Sequence, residues 1–196
     1  MAHKFNPDRM AVLVSAERHQ RQPPERLLAA LGVPAGARLA DIGCGPGFYS
    51  LPAARLVGPQ GRVYALDVQE PMLARVRERA AAEAITNVEA LQSQENRLPL
   101  GDGAADVALV ANVLHECVDR LAFLREVRRA LAGGGKLAVI EWRKEAMPMG
   151  PPTAERMTED EVRTAMVQAG FLAPAVLAAD ATGPTHFGLV ASVPDA

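Results

Sequence analysis

The stretch Leu39-Ala40-Asp41-Ile42-Gly43-Cys44-Gly45-Pro46-Gly47-Phe48 decides the fold of this 196-residue chain. It joins a short apolar run, typical of a buried strand, to a glycine-rich turn and then to a helical segment. Glycines allow a backbone to approach a ligand closely, and the first turn of a helix offers free N–H groups. The stretch therefore predicts a ligand-binding turn between a strand and a helix.

Segments of strand and helix character alternate along the chain from Arg38 onward. This alternation is typical of a mostly parallel sheet with helices on both faces. Seven strands are predicted, at Arg38–Ile42, Gly61–Asp67, Val88–Gln92, Asp106–Ala111, Lys136–Trp142, Ala175–Ala178 and His186–Ser192. The predicted fold class is α/β, a doubly wound seven-stranded sheet that is mostly parallel and has an antiparallel last strand.

Helices are predicted between the strands from the residues at their ends. Pro71 is allowed in a first helical turn, and Thr158 with Glu161 forms a capping-box pattern. The predicted helices are Phe48–Leu56, Pro71–Ala84, Arg120–Leu131 and Glu159–Ala169. Prolines predict a loop over residues 145–152, and residues 180–184 are predicted to be a turn.

Residues 1–37 lie outside the alternation and are predicted to form a helical cap on a domain of residues 38–196. Within this cap, Pro7–Gln20 is weakly helical, and Pro23–Leu31 is a helix that Gly32 ends.

The first residues of the cap have three alternative roles. His3, Lys4 and Phe5, with the helix after them, could fold over a ligand as a lid. They could instead be a solvated tail or a contact in a homodimer.

Composition narrows the class of protein. Hydrophobic residues make up 49% of the chain and charged residues 22%, and no run of about 18 apolar residues occurs, so a globular protein without a membrane span is expected. The net charge of −2 provides no general field for a nucleic acid. Cys44 and Cys117 have no disulfide or zinc spacing, so no metal is expected. The N-terminus lacks the apolar core of a secretion signal, which favours the cytoplasm.

The glycine spacing and two carboxylates indicate the kind of ligand. A dinucleotide-binding turn would have a glycine where Phe48 stands. Asp41, before the glycines, would suit an ammonium group and repel a phosphate. Asp67, at the end of the second predicted strand, can accept hydrogen bonds from both hydroxyls of an adenosine ribose. A ligand with an amino-acid end, a ribose and no phosphate matches S-adenosylmethionine.

Several segments resemble the class I S-adenosylmethionine-dependent methyltransferases, most closely the ubiquinone/menaquinone-biosynthesis-type branch. These segments are Leu39–Phe48, Ala65–Asp67, Asn87–Glu89, Leu98–Leu100, Asp106–Glu116 and Arg125–Ile140. The resemblance covers roughly residues 38–171 and is specific for cofactor and fold, not for substrate. It implies a Rossmann-like domain and an enzyme that transfers a methyl group to a small-molecule acceptor.

The resemblance also implies which residues bind the cofactor. Asp41, Gly43 and Gly45 would surround its methionine part, Asp67 would bind the ribose, and Val68 would pack on the adenine.

At the predicted adenine contact the chain departs from the family pattern. At the methyl-transfer side the match is less specific. The family commonly has an aspartate for the adenine amine where this chain has Gln94, followed by Glu95, and either side chain can accept the amine hydrogen. Ala111 and Asn112 match the segment that lines the methyl-transfer side.

His115 and Glu116 follow the fourth predicted strand, at the sheet edge where doubly wound folds bind their ligands. They are the candidate catalytic residues, and His115 is the preferred base. Alternatively, His115 packs under the next helix and Glu116 caps it. A phenol or thiol acceptor needs a base, whereas an activated carbon or amine needs little help.

Two features after the fifth predicted strand are candidates for acceptor binding. Trp142, with Arg143 and Lys144, could bind a flat or anionic acceptor or could simply close the core. Met147 and Met149 could line an apolar pocket or lie in a plain connection.

Two other functions suit the same pattern. One is a non-catalytic protein that binds S-adenosylmethionine or S-adenosylhomocysteine. The other is an NAD-dependent oxidoreductase, against which Asp41 and Phe48 argue.

Overall fold

A computed structural model describes residues 4–195. The seven strands are β1 Arg38–Ile42, β2 Arg62–Asp67, β3 Val88–Gln92, β4 Ala105–Ala111, β5 Leu131–Trp142, β6 Leu172–Val176 and β7 His186–Ser192. They form one sheet in the order β3-β2-β1-β4-β5-β7-β6. Within this described sheet, β7 runs in the opposite direction to the other six strands. The predicted α/β class with an antiparallel last strand is confirmed.

The helices are α1 Ala16–Arg21, α2 Pro24–Leu31, α3 Ser50–Val57, α4 Glu70–Ala82, α5 Arg120–Ala130, α6 Glu159–Gln168 and α7 Ala179–Thr182. Short 3-10 helices span Pro7–Val14, Leu114–Glu116 and Thr153–Glu155. The capping box predicted for α6 is present, with Thr158 and Glu161 each bonding to the backbone of the other.

The sheet is buried on both faces, which is why its central strands are mostly apolar. On one face, Ala40 of β1 lies in the same hydrophobic cluster as Phe123 of α5 and Met166 of α6. On the other face, Leu39 lies in a cluster with side chains of α3 and with Leu27 of α2. The alternation along β1 therefore places one helical layer against each face.

Three predicted boundaries are wrong where the chain bends locally. The strand β5 begins at Leu131 instead of Lys136, because an irregular segment with a register shift against β4 precedes the regular ladder. The helix α3 begins at Ser50 instead of Phe48, because the glycine turn continues to Tyr49. The strand β6 is displaced toward the N-terminus and contains a positive φ at Ala173.

Smaller differences lie at the chain ends. The predicted turn at 180–184 overlaps the short helix α7. The weak helix predicted over Pro7–Gln20 is divided at Ser15, whose hydroxyl accepts a hydrogen bond from the Arg18 N–H and caps α1. The helix α2 ends at Gly32 in the left-handed conformation, as predicted.

The topology brings distant segments to one edge of the sheet. Strands β1, β2, β4 and β5 all end there, and the antiparallel β7 begins there, so His186 is paired with Trp142. Across residues 4–195, no helix is both long and apolar enough to cross a membrane.

Candidate active site

A cavity of ≈ 620 Å³ opens at this edge of the sheet. Its walls come from the N-terminal segment, the glycine turn, the ends of β1 to β5 and the loop after β5. The structure brings all ten predicted site residues to it, namely Asp41, Gly43, Gly45, Asp67, Val68, Gln94, Glu95, Ala111, His115 and Glu116. The volume is within the usual range for small-molecule sites.

Asp67 joins the glycine turn to the end of β2. Its Oδ2 accepts the backbone N–H of Gly45 at 2.9 Å, and its Oδ1 accepts that of Gln69 at 2.9 Å. Burial raises the pKa of Asp67, while these backbone hydrogen bonds oppose the rise. Each carboxylate oxygen retains a second lone pair, so Asp67 can still receive two ribose hydroxyls.

All three glycines of the turn have positive φ, and a Cβ at any of them would meet a neighbouring side chain. A Cβ at Gly43, where φ is +72°, would lie 2.2 Å from a methyl group of Val113, so no larger residue fits. At Gly45, where φ is +53°, a Cβ would meet the Leu13 side chain at 3.6 Å. The N-terminal segment thus reaches the glycine turn itself.

Asp41 is almost fully buried and accepts a hydrogen bond from the Ser50 hydroxyl at 2.5 Å. Burial raises the pKa of Asp41 to about 6, and the negative charge of Asp67 adds to the rise, while Ser50 and Arg18 oppose it. At neutral pH, Asp41 is therefore ionised, and its buried charge costs free energy of folding. A positively charged ligand group beside it would relieve that cost.

The two predicted candidates for the adenine amine, Gln94 and Glu95, have different hydrogen-bond partners. The Glu95 Oε2 accepts a hydrogen bond from the Lys4 ammonium at 2.8 Å, and its Oε1 accepts two, from the Val118 N–H at 2.7 Å and the Asp119 N–H at 3.4 Å. Glu95 therefore has less free acceptor capacity than Gln94. These bonds lower the pKa of Glu95 although burial opposes them. Gln94 also lines the cavity, and its backbone forms a bridge to Arg97, but its side chain has no hydrogen-bond partner among the described residues. Gln94 is accordingly the better candidate for the adenine amine.

The N-terminal segment lies across the cavity. Besides the Lys4 to Glu95 pair, the backbone carbonyl of Phe5 accepts a hydrogen bond from the Gln69 side chain at 3.0 Å. The predicted lid residues Lys4 and Phe5 thus contact Glu95 and Gln69, which neighbour the residues predicted to bind the adenine and the ribose. His3 lies outside the described residues.

His115 forms a buried pair with Glu141, the next-to-last residue of β5. The His115 Nδ1 lies 2.7 Å from Oε2 of Glu141, and the His115 backbone N–H donates to the other carboxylate oxygen at 3.1 Å. Glu141 is fully buried. Burial lowers the pKa of His115, but the hydrogen bond and charge of Glu141 outweigh it, so the net shift is upward. Because Glu141 accepts at Nδ1, it favours the tautomer with a free lone pair on Nε2.

Glu116, the last residue of the 3-10 helix Leu114–Glu116, lies beside this pair. Its Oε1 is 3.9 Å from the His115 Nε2, and burial raises the pKa of its carboxyl. The alternative that Glu116 caps the next helix is wrong. Asp119 caps α5 by accepting the Ala122 N–H.

The loop after β5 is held by one buried cation. The Arg156 guanidinium donates to the carbonyls of Arg143, Glu145, Met149 and Pro151 at 2.7 to 3.1 Å. This loop supplies Met149 and its flanking prolines to the cavity wall, whereas Met147 does not line it.

The cations predicted to accompany Trp142 lie outside the cavity. Lys144 pairs with Glu161 at 3.5 Å, and neither Lys144 nor Arg143 lines the cavity wall. Trp142 itself does line it, with its ring centroid 4.1 Å from that of His186.

The sequence alone did not indicate several functional residues. Glu141, Ser50, Tyr49 and His186 all line or support the cavity but belong to no motif. A signal existed for Glu141, since a carboxylate inside the apolar run of β5 must be paired if it is buried. The position of His186 depends on β7 pairing with β5, which no local pattern encodes.

Comparison with known proteins identifies the family. The model of the ubiE/COQ5 methyltransferase family matches residues 2–156. The chain belongs to the ubiE/COQ5 methyltransferase family. Among relatives, the demethylmenaquinone methyltransferase of Lactococcus lactis is 30% identical over 142 residues, 72% of this chain and 56% of that protein. The corresponding enzyme of Geobacillus kaustophilus is 30% identical over 134 residues, 68% and 57% of the two chains. The chain thus spans a little over half the length of these ubiE/COQ5 relatives.

Solved structures agree with this ubiE/COQ5 assignment. A SAM-dependent methyltransferase from Aquifex aeolicus has a TM-score of 0.91 and 35% identity, and the match covers 97% of this chain and 100% of that one. The [4+2]-cyclase SpnF, at TM-score 0.70 and 22% identity over 96% and 82% of the two chains, shares the fold alone. The predicted resemblance to this methyltransferase family and the predicted Rossmann-like fold are therefore confirmed.

Replacing Asp67 by alanine should weaken binding of S-adenosylhomocysteine about 30-fold. The change removes two charge-assisted hydrogen bonds to the ribose, for a net loss of about 2 kcal/mol. Calorimetric titration measures the dissociation constant. Asp102→Ala, at a side chain that is 84% exposed, is the matched control and should bind as the unchanged protein does. Equal affinities for the two variants would refute the ribose assignment.

Proposed function

We propose that this protein transfers the methyl group of S-adenosylmethionine to a small ring compound, at a carbon or oxygen atom. The observation that carries the proposal is one cavity lined both by the Asp67-bound glycine turn and by the His115–Glu141 pair. The demethylmenaquinone named for the relatives supports a quinone-like ring as the acceptor class. A cytoplasmic location is part of the proposal.

The cofactor-binding half of the cavity fits the proposed group in its chemistry. Asp41 offers a carboxylate to an ammonium group, Asp67 offers two oxygens to a ribose, and Gln94 offers an amide to an adenine amine. When bound, S-adenosylmethionine supplies a methyl group on a positively charged sulfur. The N-terminal segment over Gly45 excludes water from this half of the site.

The His115–Glu141 pair provides the proton chemistry. Glu141 holds the ring so that Nε2 can accept a proton from an acceptor hydroxyl or from an acidic ring carbon. The raised pKa of His115 makes the neutral ring a stronger base, and Glu141 stabilises the imidazolium that forms. Displacement of a good leaving group otherwise needs little besides alignment and a dry cavity.

Two measurements in sequence test the proposal. The protein is titrated calorimetrically with S-adenosylhomocysteine, S-adenosylmethionine and NAD in one buffer. Binding of the first two without NAD is expected, whereas binding of NAD alone would overturn the cofactor assignment. The protein is then incubated with methyl-labelled S-adenosylmethionine and demethylated quinols or a low-molecular-mass cell extract. Label in a small organic product is expected, while cofactor binding without any labelled product would support a non-catalytic binder.

A further inference from the structure

The carboxylate of Glu95 connects two parts of the cavity wall that are far apart in the sequence. Its Oε2 accepts a hydrogen bond from the ammonium group of Lys4, in the N-terminal segment, at 2.8 Å. Its Oε1 accepts hydrogen bonds from the backbone N–H groups of Val118 at 2.7 Å and Asp119 at 3.4 Å. Each oxygen of Glu95 thus contacts a different segment of the chain.

The second of these segments carries the predicted base. Residues 114–119, the base-bearing segment, consist of the 3-10 helix with His115 and the three residues that lead to α5. Glu141 binds His115 near the start of this segment. At its end, the Val118 side chain is 76% exposed and contributes little packing, so the backbone bonds to Glu95 hold the chain there. Glu95 also lies at the N-terminal end of α5, where a negative charge is favourable.

The N-terminal segment lies close to Glu116 as well, the residue that follows the base. Burial raises the pKa of the Glu116 carboxyl, while His115, the backbone N–H of Phe5 and the Lys4 charge oppose the rise. The Glu116 Oε1 is 3.9 Å from the Nε2 of His115. The N-terminal segment therefore meets the base-bearing segment at two points, Glu95 and Glu116.

The N-terminal segment also contacts the cofactor half of the cavity. The Phe5 carbonyl accepts a hydrogen bond from the Gln69 side chain at 3.0 Å. The Gln69 backbone N–H in turn donates to Asp67, the predicted ribose residue, at 2.9 Å. Lys4 and Phe5 therefore connect the predicted cofactor residues with the segment that carries the base.

We propose that Glu95 is a positioning residue, which fixes the base-bearing segment relative to the N-terminal segment and does not bind the adenine. Because one carboxylate contacts both segments, His115 is held in place while the N-terminal segment covers the cofactor. The inference deepens the proposed function and rests on its assignment of His115 as the base.

The pKa of His115 reports whether the base-bearing segment keeps its place. Burial lowers this pKa, and Glu141, Glu116 and Glu155 raise it, with a net upward shift. Glu95 is not among these groups. A change in the pKa of His115 after substitution of Glu95 therefore reports movement of the ring relative to Glu141 and not the loss of a nearby charge.

NMR spectra of the histidine rings, recorded without ligand as a function of pH, measure the pKa of His115, and the His115→Gln variant assigns its signal. Glu95→Ala removes the acceptor of the Val118 N–H and should lower the pKa of His115 toward its ordinary value. Glu95→Gln has an amide oxygen that can still accept this N–H, so it should retain the raised pKa.

The rate at which S-adenosylhomocysteine leaves the immobilised protein, followed by surface plasmon resonance, measures the other contact of Glu95. Glu95→Ala, Glu95→Gln and Lys4→Met each remove the half-exposed ion pair. Each should release the ligand about threefold to fivefold faster, as expected for one such pair. Lys4→Met leaves the bonds from Glu95 to the base-bearing segment intact, so the pKa of His115 should stay raised in this variant.

Glu89→Ala is the matched control. Glu89 lies on β3, forms an exposed ion pair with Arg62 at 2.9 Å and does not line the cavity. Its removal should change neither the pKa of His115 nor the release of S-adenosylhomocysteine.

Three results would overturn the proposal. One is an unchanged pKa of His115 in Glu95→Ala, and another is equal release rates in Lys4→Met and the unchanged protein. The third is weaker binding of 5′-methylthioadenosine by Glu95→Ala but not by Lys4→Met, which would assign Glu95 to the adenine. If Glu95→Ala does not fold, the release rates of Glu95→Gln and Lys4→Met still decide.

Failure of the unchanged protein to bind S-adenosylhomocysteine would instead refute the proposed function. The NMR comparison needs no ligand, so it tests the positioning role of Glu95 separately from cofactor binding.

Discussion

Replacing His115 by glutamine should lower methyl transfer about 10²- to 10³-fold while the affinity for S-adenosylhomocysteine stays unchanged. A positioned general base contributes about this factor when the acceptor must lose a proton. Glutamine is polar and similar in length but cannot accept that proton at neutral pH. Initial rates of label transfer from S-adenosylmethionine and calorimetric affinities separate the two effects.

Glu141→Gln tests the positioning role of the carboxylate. The neutral imidazole of His115 is the active form, so transfer should fall as the pH drops below its raised pKa. Without the Glu141 charge, that fall should move to lower pH, and the rate should decrease less than in His115→Gln. A merely structural Glu141 would change the rate without moving the pH profile.

The matched control is His19→Gln, a histidine on α1 that does not line the cavity. Its transfer rate should equal that of the unchanged protein. If His115→Gln retained that same rate, His115 would be a packing residue and the acceptor would need no base.

Replacing Asp41 by asparagine should stabilise the unliganded fold at pH 7 and weaken its binding of the cofactor. The folded-state pKa of Asp41 is raised from 3.8 to about 6, so ionising it in the fold costs up to about 3 kcal/mol at pH 7. The neutral amide avoids this cost and can still accept the Ser50 hydrogen bond. Loss of the charge opposite a ligand ammonium should raise the dissociation constant of S-adenosylhomocysteine about tenfold or more.

The pH dependence of the Asp41→Asn effect gives its signature. Below pH 3.8, Asp41 is protonated in both folded and unfolded chains, so the variant gains no stability. The advantage should grow as the pH rises to about 6 and stay constant above it. Denaturant unfolding of both proteins at pH values from about 3.5 to about 8 measures this difference in the free energy of unfolding.

Asp106→Asn provides a control of opposite sign. The ion pair with Arg38 lowers the pKa of Asp106, so removing its charge should destabilise the fold at pH 7. If Asp41→Asn also destabilised the protein at pH 7, Asp41 would not be the strained carboxylate described above.

The cofactor half of the site was predictable because local sequence encodes it. The turn after β1 needs glycines whose φ is positive, and Asp67 lies at the end of the strand that pairs with β1. Both facts follow from strand and turn patterns in a parallel sheet. Every predicted cofactor residue lines the cavity, although each individual contact remains a prediction.

The acceptor half was not predictable because it depends on long-range pairing. Glu141 meets His115 only because β5 lies next to β4, and His186 meets Trp142 only because β7 inserts between β5 and β6. Nor does any local pattern place Gln22 of the N-terminal segment in the same wall as these residues. Such groups of residues come together only in the folded sheet, so no residue spacing in the sequence indicates them.

The hydrogen bonds from Arg156 to four loop carbonyls bear on how ligands enter and leave the cavity. Opening the loop after β5 would leave the buried Arg156 guanidinium without its carbonyl acceptors, so we expect this wall to stay closed while ligands bind and leave. The N-terminal segment is fastened more lightly, by the half-exposed Lys4 to Glu95 pair and one amide hydrogen bond. We therefore expect ligands to exchange on the Lys4 side. Because salt screens exposed ion pairs, release of S-adenosylhomocysteine should become faster as the ionic strength rises.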